Sequence, residues 1–155
     1  MTISVTSPIT GSTMSQFTTP TYTLVADKGP DVNANQWIVS ALGGTQTSVR
    51  THAVSDPFTI TVTRPKSPKT LPSPNAVTGK FSNVPKNTYG VLIRKGVNFA
   101  ANNAPLVAVI RFTMDVPAGS DAFDSANLRA LVCAAIGALS QQSQGIGDTA
   151  VNGVI

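Results

Sequence analysis

Leu106-Val-Ala-Val-Ile-Arg-Phe-Thr-Met-Asp-Val116 is followed, after Pro-Ala-Gly-Ser-Asp121, by Asn127-Leu-Arg-Ala-Leu-Val-Cys-Ala-Ala-Ile-Gly-Ala-Leu139. In the first segment Leu106, Ala108, Ile110, Phe112 and Met114 alternate with Val107, Val109, Arg111, Thr113 and Asp115. That is the period of two that a strand imposes on its side chains. Both sets are apolar at the start, so part of the second face must be covered as well. In the second segment Leu128, Leu131, Val132, Ala135, Ile136 and Leu139 recur at helical spacing, which predicts an amphipathic helix of about five turns. Ser120 is a suitable N-cap, and Asp121 and Asp124 lie where a helix N-terminus favours negative charge. Gly145 and Gly147 end this helix or mark a turn, and Asp148 is placed to cap a short final helix carrying Val151 and Val154.

Upstream of this junction the chain reads as strands. Phe58-Thr-Ile-Thr-Val-Thr63 is a strict alternation, with Phe58, Ile60 and Val62 facing one way and the threonines the other. Tyr89 to Val97 repeats it, with Val91 and Ile93 opposite Gly90, Leu92 and Arg94. The first 49 residues read as an opening hairpin or pair of short strands, then a strand centred on Trp37, Ile38 and Val39. Turn signals stand at Thr10-Gly11-Ser12, Lys28-Gly29-Pro30 and Gly43-Gly44. Residues 65–87 carry Pro65, Pro68, Pro72, Pro74 and Pro85, each lacking the amide a central strand needs, together with four lysines. They predict a long exposed loop. Strands first and helices last, at about 121–155, argue for an α+β fold in which two C-terminal helices pack on one face of an antiparallel sheet. At 155 residues the chain is one domain, 1–155.

Composition narrows the chemistry. Charged residues make up only 12% of the chain, the seven acids are all Asp, and there is one His and one Cys. A His/Cys zinc site cannot be assembled from so few ligands, and no CxxC, HExxH or phosphate-loop pattern occurs. Neither a metal, a cofactor, a small-molecule substrate nor catalysis is expected. No apolar run reaches the ~18 residues that span a bilayer, and Met1 to Thr10 lacks the features of a signal peptide, so the expectation is a cytosolic, soluble chain without membrane contact. The net charge of +4 is unevenly spread: between Arg50 and Lys95 eight basic residues meet Asp56 alone. A basic middle favours a polyanion, of which nucleic acid is the commonest.

If the helices cover the face of Ile60, Val91 and Ile110, the opposite face presents Thr59, Thr61, Thr63, Arg94, Arg111 and Thr113. Hydroxyls and guanidiniums on a rigid sheet donate to phosphates and base edges, which makes these six the candidate RNA-binding residues. A charge within a strand needs a reason that a loop lysine does not. Lys66, Lys69, Lys80 and Lys86 either keep their loop solvated or contact phosphate. Cys133 reads as a buried inert thiol, His52 as a solvated loop imidazole, and Trp37 as a core or interface anchor. One helical layer is too small for the sheet, so partner chains must supply the rest of the cover.

The order of these parts resembles the coat proteins of the small single-stranded RNA bacteriophages, the levivirus type. The likeness is carried by the N-terminal hairpin, Phe58–Thr63, Thr88-Tyr-Gly-Val-Leu-Ile-Arg94, the strand Ala108–Met114, the turn Val116–Asp121, the helix Asn127–Leu139 and an Ile/Val-rich tail. The resemblance implies a dimer whose sheets join edge to edge and whose helices interlock over the partner, many dimers closing an icosahedral shell around single-stranded genomic RNA. It implies a place in the virion, assembled in the bacterial cytoplasm, and puts Thr59, Thr61, Thr63, Arg94 and Arg111 on the inner face, where the family also binds an operator hairpin that represses translation. Gly96 to Pro105 corresponds to the segment that gathers around the shell's symmetry axes, and it holds no Cys for cross-linking there. This chain departs from the pattern in its long 65–87 loop and in Leu92, Val107 and Val109, which stand where polar or aromatic readers often occur. A small cellular RNA- or single-stranded-DNA-binding module is the alternative, but it would require aromatic stacking platforms where the alternation puts Thr and Arg.

Overall fold

The computed structural model describes residues 3–155. Six strands, β1 (Ile9–Thr10), β2 (Phe17–Asp27), β3 (Ala34–Gln46), β4 (Phe58–Thr63), β5 (Lys86–Val97) and β6 (Leu106–Pro117), form one sheet in sequence order. Every pairing is antiparallel. Three helices follow: α1 (Ser120–Phe123), α2 (Ser125–Gln141) and α3 (Ser143–Asn152). The expected strand-then-helix order is therefore the observed one, with a single turn of helix added ahead of the long one.

The register sorts the side chains as the alternation demands. Ile60 lies between Trp37 and Ile93, Ile93 is opposite Ile110, and Val91 is opposite Phe112, so these residues share an apolar face. Thr59 lies between Ile38 and Arg94, and Thr61 between Gln36 and Leu92, on the polar face. In β3, Ser40 is an extra residue between Val39, opposite Leu24, and Ala41, opposite Thr23. This bulge brings Val39 and Leu42, three residues apart on β3, to the same apolar face, opposite Leu24 and Tyr22. There Tyr22 packs edge-on with the Phe58 ring at a centroid distance of 5.7 Å.

Three local expectations give way. Gly43-Gly44 is no turn but part of β3: Gly44 has φ 72° and leaves room for the carbonyls of Thr18 and Thr19 on the neighbouring strand. The N-cap of α1 is Gly119, with φ 86°, while the Ser120 hydroxyl donates back to the Pro117 carbonyl at 2.6 Å. Gly119 also gives the side chain of Leu71 its place against the start of the helix. Gly145, Gly147 and Asp148 lie inside α3 rather than ending or capping a helix; the break comes at Gln142. A strand partner or a packed loop supplies what a local signal alone leaves undetermined.

One chain does not close its own core. Among the described residues the buried apolar side chains are only Pro20, Leu24, Ala34, Val39, Val116 and Ala118. Ile110, on the apolar face of the edge strand β6, is 66% exposed, and Leu131 on α2 is 58% exposed. No residue of α2 or α3 is buried. Cys133, expected to be buried, is exposed for this reason. The helices do lie on the apolar side, since Leu128 and Val132 line a groove with Met114 and Val116. The exposed surface is 11055 Å², half as much again as the roughly 7400 Å² of a compact monomer of this mass.

Away from the helices, a cluster of charge ties the β3–β4 connection to the end of β5. The buried Asp56 carboxylate accepts from Arg50 Nε and, at 2.8 Å, from Lys95 Nζ. Arg50 reaches on to the Gly96 carbonyl at 3.2 Å and Asn98 Oδ1 at 3.3 Å. A Cβ on Gly96 would collide with the Asp56 side chain. His52 is half-buried rather than solvated, its Nδ1 accepting from the Phe58 amide at 3.0 Å. The loop between β4 and β5 is exposed as expected. It is tethered by Lys66 to Asp31 at 2.6 Å and by paired bonds between Asn87 and the Lys69 backbone, at 2.7 and 3.0 Å.

Two outcomes follow from these contacts. Burial pushes the Asp56 carboxyl up, but the Lys95 and Arg50 cations beside it outweigh burial and hold it below its usual value of 3.8. A depressed carboxyl contributes stability above 3.8 that is lost as the pH falls through its lower folded value. Asp56→Asn should therefore cost about 2–3 kcal/mol near pH 7, and the gap to wild type should narrow as the pH falls below 3.8, as read by denaturant titration at pH values well above and below 3.8. An equal gap at the two pH values would contradict the assignment. A short peptide inserted after Ser73 should leave intact the assembly that the resemblance implies, because the loop tip there contributes nothing to a core. Loss of particles in electron micrographs, with the fold retained, would show instead that this loop is a contact between subunits.

Candidate nucleic-acid interface

The polar face is built around Arg94, half-buried at the centre of β5. Its Nε donates to Thr59 Oγ1 at 3.1 Å, and its NH2 group donates to Gln36 Oε1 at 3.3 Å. The Thr61 hydroxyl donates to the same Gln36 oxygen at 3.0 Å, and Gln36 Nε2 donates to Asp27 Oδ2 at 2.7 Å. Four strands, β2 to β5, are thus linked by one line of side chains. The bonds from Gln36 and the Lys28 amide hold the Asp27 carboxyl below the usual carboxylate range.

Thr59 and Thr61 are 2% and 1% exposed. Both were expected to be presented to solvent, but their hydroxyls are spent inside the sheet, beneath Arg94 and Gln36. Thr63, Arg111 and Thr113 are exposed, as expected of this face. Thr63 Oγ1 makes a long bond to the Gly90 carbonyl at 3.4 Å. Arg111 stands opposite Leu92 on β6, diagonal to Arg94, which lies opposite Val109. Arg94 and Arg111 therefore occupy neighbouring strands on one face, with Leu92 and Val109 between them. Lys86, opposite Pro117, is on the same face at its far end. Near it Asp115 accepts from Thr88 Oγ1 at 2.6 Å, so the far end of the face also carries an acid.

The other basic residues are engaged elsewhere. Lys95 lies on the apolar side, its ammonium 5.2 Å from the Phe58 ring centre while bound to Asp56. Arg50 is committed to the same carboxylate. Lys66 is paired with Asp31, and Lys69 and Lys80 are exposed on the loop. The sequence reading missed Gln36 and Asp27, which complete the Arg94 network, and the Arg50–Asp56–Lys95 cluster. Gln36 is at period two from Ile38, but only the β3–β4 register brings it opposite Thr61. Among the described residues no group of three or more His, Cys or Asp side chains comes together to hold a metal, and no helix is long and apolar enough to cross a membrane.

No protein-family model matches the chain, and no curated protein does. Among solved structures, the virus-like particle of bacteriophage ESE020 superposes with a TM-score of 0.96 at 52% sequence identity, over 99% of this chain and 100% of that one. The likeness spans the whole of both chains, well beyond what a shared fold alone gives, and it joins the sheet-then-helix order to a shell-forming protein. This chain belongs to the coat-protein family of the small single-stranded RNA bacteriophages, and it is a structural capsid protein.

Proposed function

We propose that the chain forms a dimer that completes its core, that dimers close an icosahedral shell, and that the polar face of the sheet holds single-stranded genomic RNA inside that shell. The observation that carries the RNA reading is the pair of arginines on one face, Arg94 hydrogen-bonded within the sheet and Arg111 exposed. Strand positions are costly places for charge, and an inward polyanion offsets that cost. The dimer reading rests on the uncovered apolar face and helices, since surface left open on this scale matches an obligate interface, which commonly exceeds about 2000 Å². In this reading β6, the sheet edge with no neighbour in the chain, pairs with the partner's β6, and each α2 lies over the other sheet.

The role is structural, with no catalytic step. Virions form in the cytoplasm of the bacterial host. Leu92 and Val109 separate the arginines with aliphatic surface, and the Thr59 and Thr61 hydroxyls are buried within the sheet, so the face suits bulk phosphate contact better than the reading of one operator hairpin.

Leu131→Asp should abolish soluble dimer, because it buries an unpaired charge in the interface. Sedimentation of the wild type as a folded monomer at every concentration would contradict the dimer. For RNA, affinity should fall steeply with salt, with a slope of about −0.7 for each phosphate neutralised on a single strand. Arg94→Ala together with Arg111→Ala should flatten that slope and lower the RNA content of particles. Particles of the double variant that still hold full-length RNA would mean that another surface faces inward.

A further inference from the structure

We infer that Gln36 is the positioning residue that fixes the Arg94 guanidinium for a phosphate, an inference that rests on the RNA reading above. Gln36 Oε1 accepts from both Thr61 Oγ1 and Arg94, so the amide oxygen is saturated and faces the guanidinium. Its Nε2 donates to Asp27, which also accepts from the Lys28 amide at 2.8 Å. The amide is therefore held at both ends and cannot turn its nitrogen toward Arg94. Thr59 closes the other side of the guanidinium through Nε. A guanidinium has five N–H donors, and these two bonds leave three of them available.

Arg111 has no comparable support: no hydrogen bond or ion pair to another side chain holds it among the described residues. The two arginines then differ in what binding demands of them. Arg111 must be immobilised when phosphate arrives, whereas the sheet has already ordered Arg94. A side chain ordered in advance spares the rotamer entropy that an unsupported one loses. Removing Gln36 should leave the charge in place and free its position.

The test separates those two properties. Full-length coat protein dissociated from its particles is titrated with a mixed-sequence single-stranded RNA over a range of salt. Gln36→Leu should bind about 3–10-fold more weakly at every salt concentration. Its salt dependence should run parallel to that of the wild type, because no phosphate contact is lost. The titrations are made at a temperature where thermal unfolding shows both proteins fully folded, since the variant leaves the Thr61 hydroxyl without its acceptor and should melt lower. Arg94→Ala should instead reduce the slope by about 0.7. A Gln36→Leu line that coincides with the wild-type line, beside an Arg94→Ala line that is flattened, overturns the role of Gln36 alone. An Arg94→Ala slope equal to the wild type overturns the RNA reading and this inference with it. If Gln36→Leu does not fold, Thr61→Val carries the test, because it deletes one of the two donors on the amide oxygen. A parallel but smaller loss of affinity is expected there, and affinity equal to the wild type overturns the inference.

Discussion

Everything in this fold follows from a sheet whose apolar face is wider than the chain can cover. Period two in β4, β5 and β6 puts Ile60, Val91, Ile93, Ile110 and Phe112 on one side, and burying that side is the main favourable term available to so charge-poor a chain. Yet none of the residues of the chain's own helices α2 and α3 is buried. A coat protein has good reason for this arrangement. On the dimer reading proposed above, a core completed by a second copy would couple folding to association, so that subunits would be stable chiefly as building blocks.

The opposite face answers a different demand. A half-buried arginine in mid-strand is tolerable only if the donors it turns into the sheet are bonded and its charge is offset. The line Asp27, Gln36, Arg94 and Thr59 does both, placing one carboxylate at the end of a relay of hydrogen bonds that starts at the guanidinium. The threonine alternation of β4 supplies the small hydroxyls that fit beneath these longer side chains. At the other end of the sheet, the Asp56 cluster fixes the β3–β4 connection against Gly96, the residue from which the 98–105 segment departs. Two separate ion networks thus hold the polar face and the base of that segment.

Much of this was legible in the sequence. The strands 58–63, 89–97 and 106–116 announce themselves by alternation, and 128–139 by helical spacing, because in each the periodic burial is strong and local. Arg94 and Arg111 stood out as charges within strands. What remained hidden depended on register: nothing before the strands are paired says that Gln36 sits opposite Thr61, or that Thr59 and Thr61 are roofed over by their neighbours' side chains. The Gly43-Gly44 turn failed for the same reason, since the close approach of β2 explains those glycines better than any reversal of the chain. Cys133 reads as buried from its apolar neighbours, and in the single chain it is exposed because no second layer covers α2.

The most direct test of this account is a side-chain-resolution electron-microscopy reconstruction of RNA-filled particles. The account predicts that the polar face lines the interior, with RNA density against Arg94 and Arg111, and that α2 of one subunit covers the apolar face of another. Arginines on the outer surface, or an apolar face left open between subunits, would contradict it.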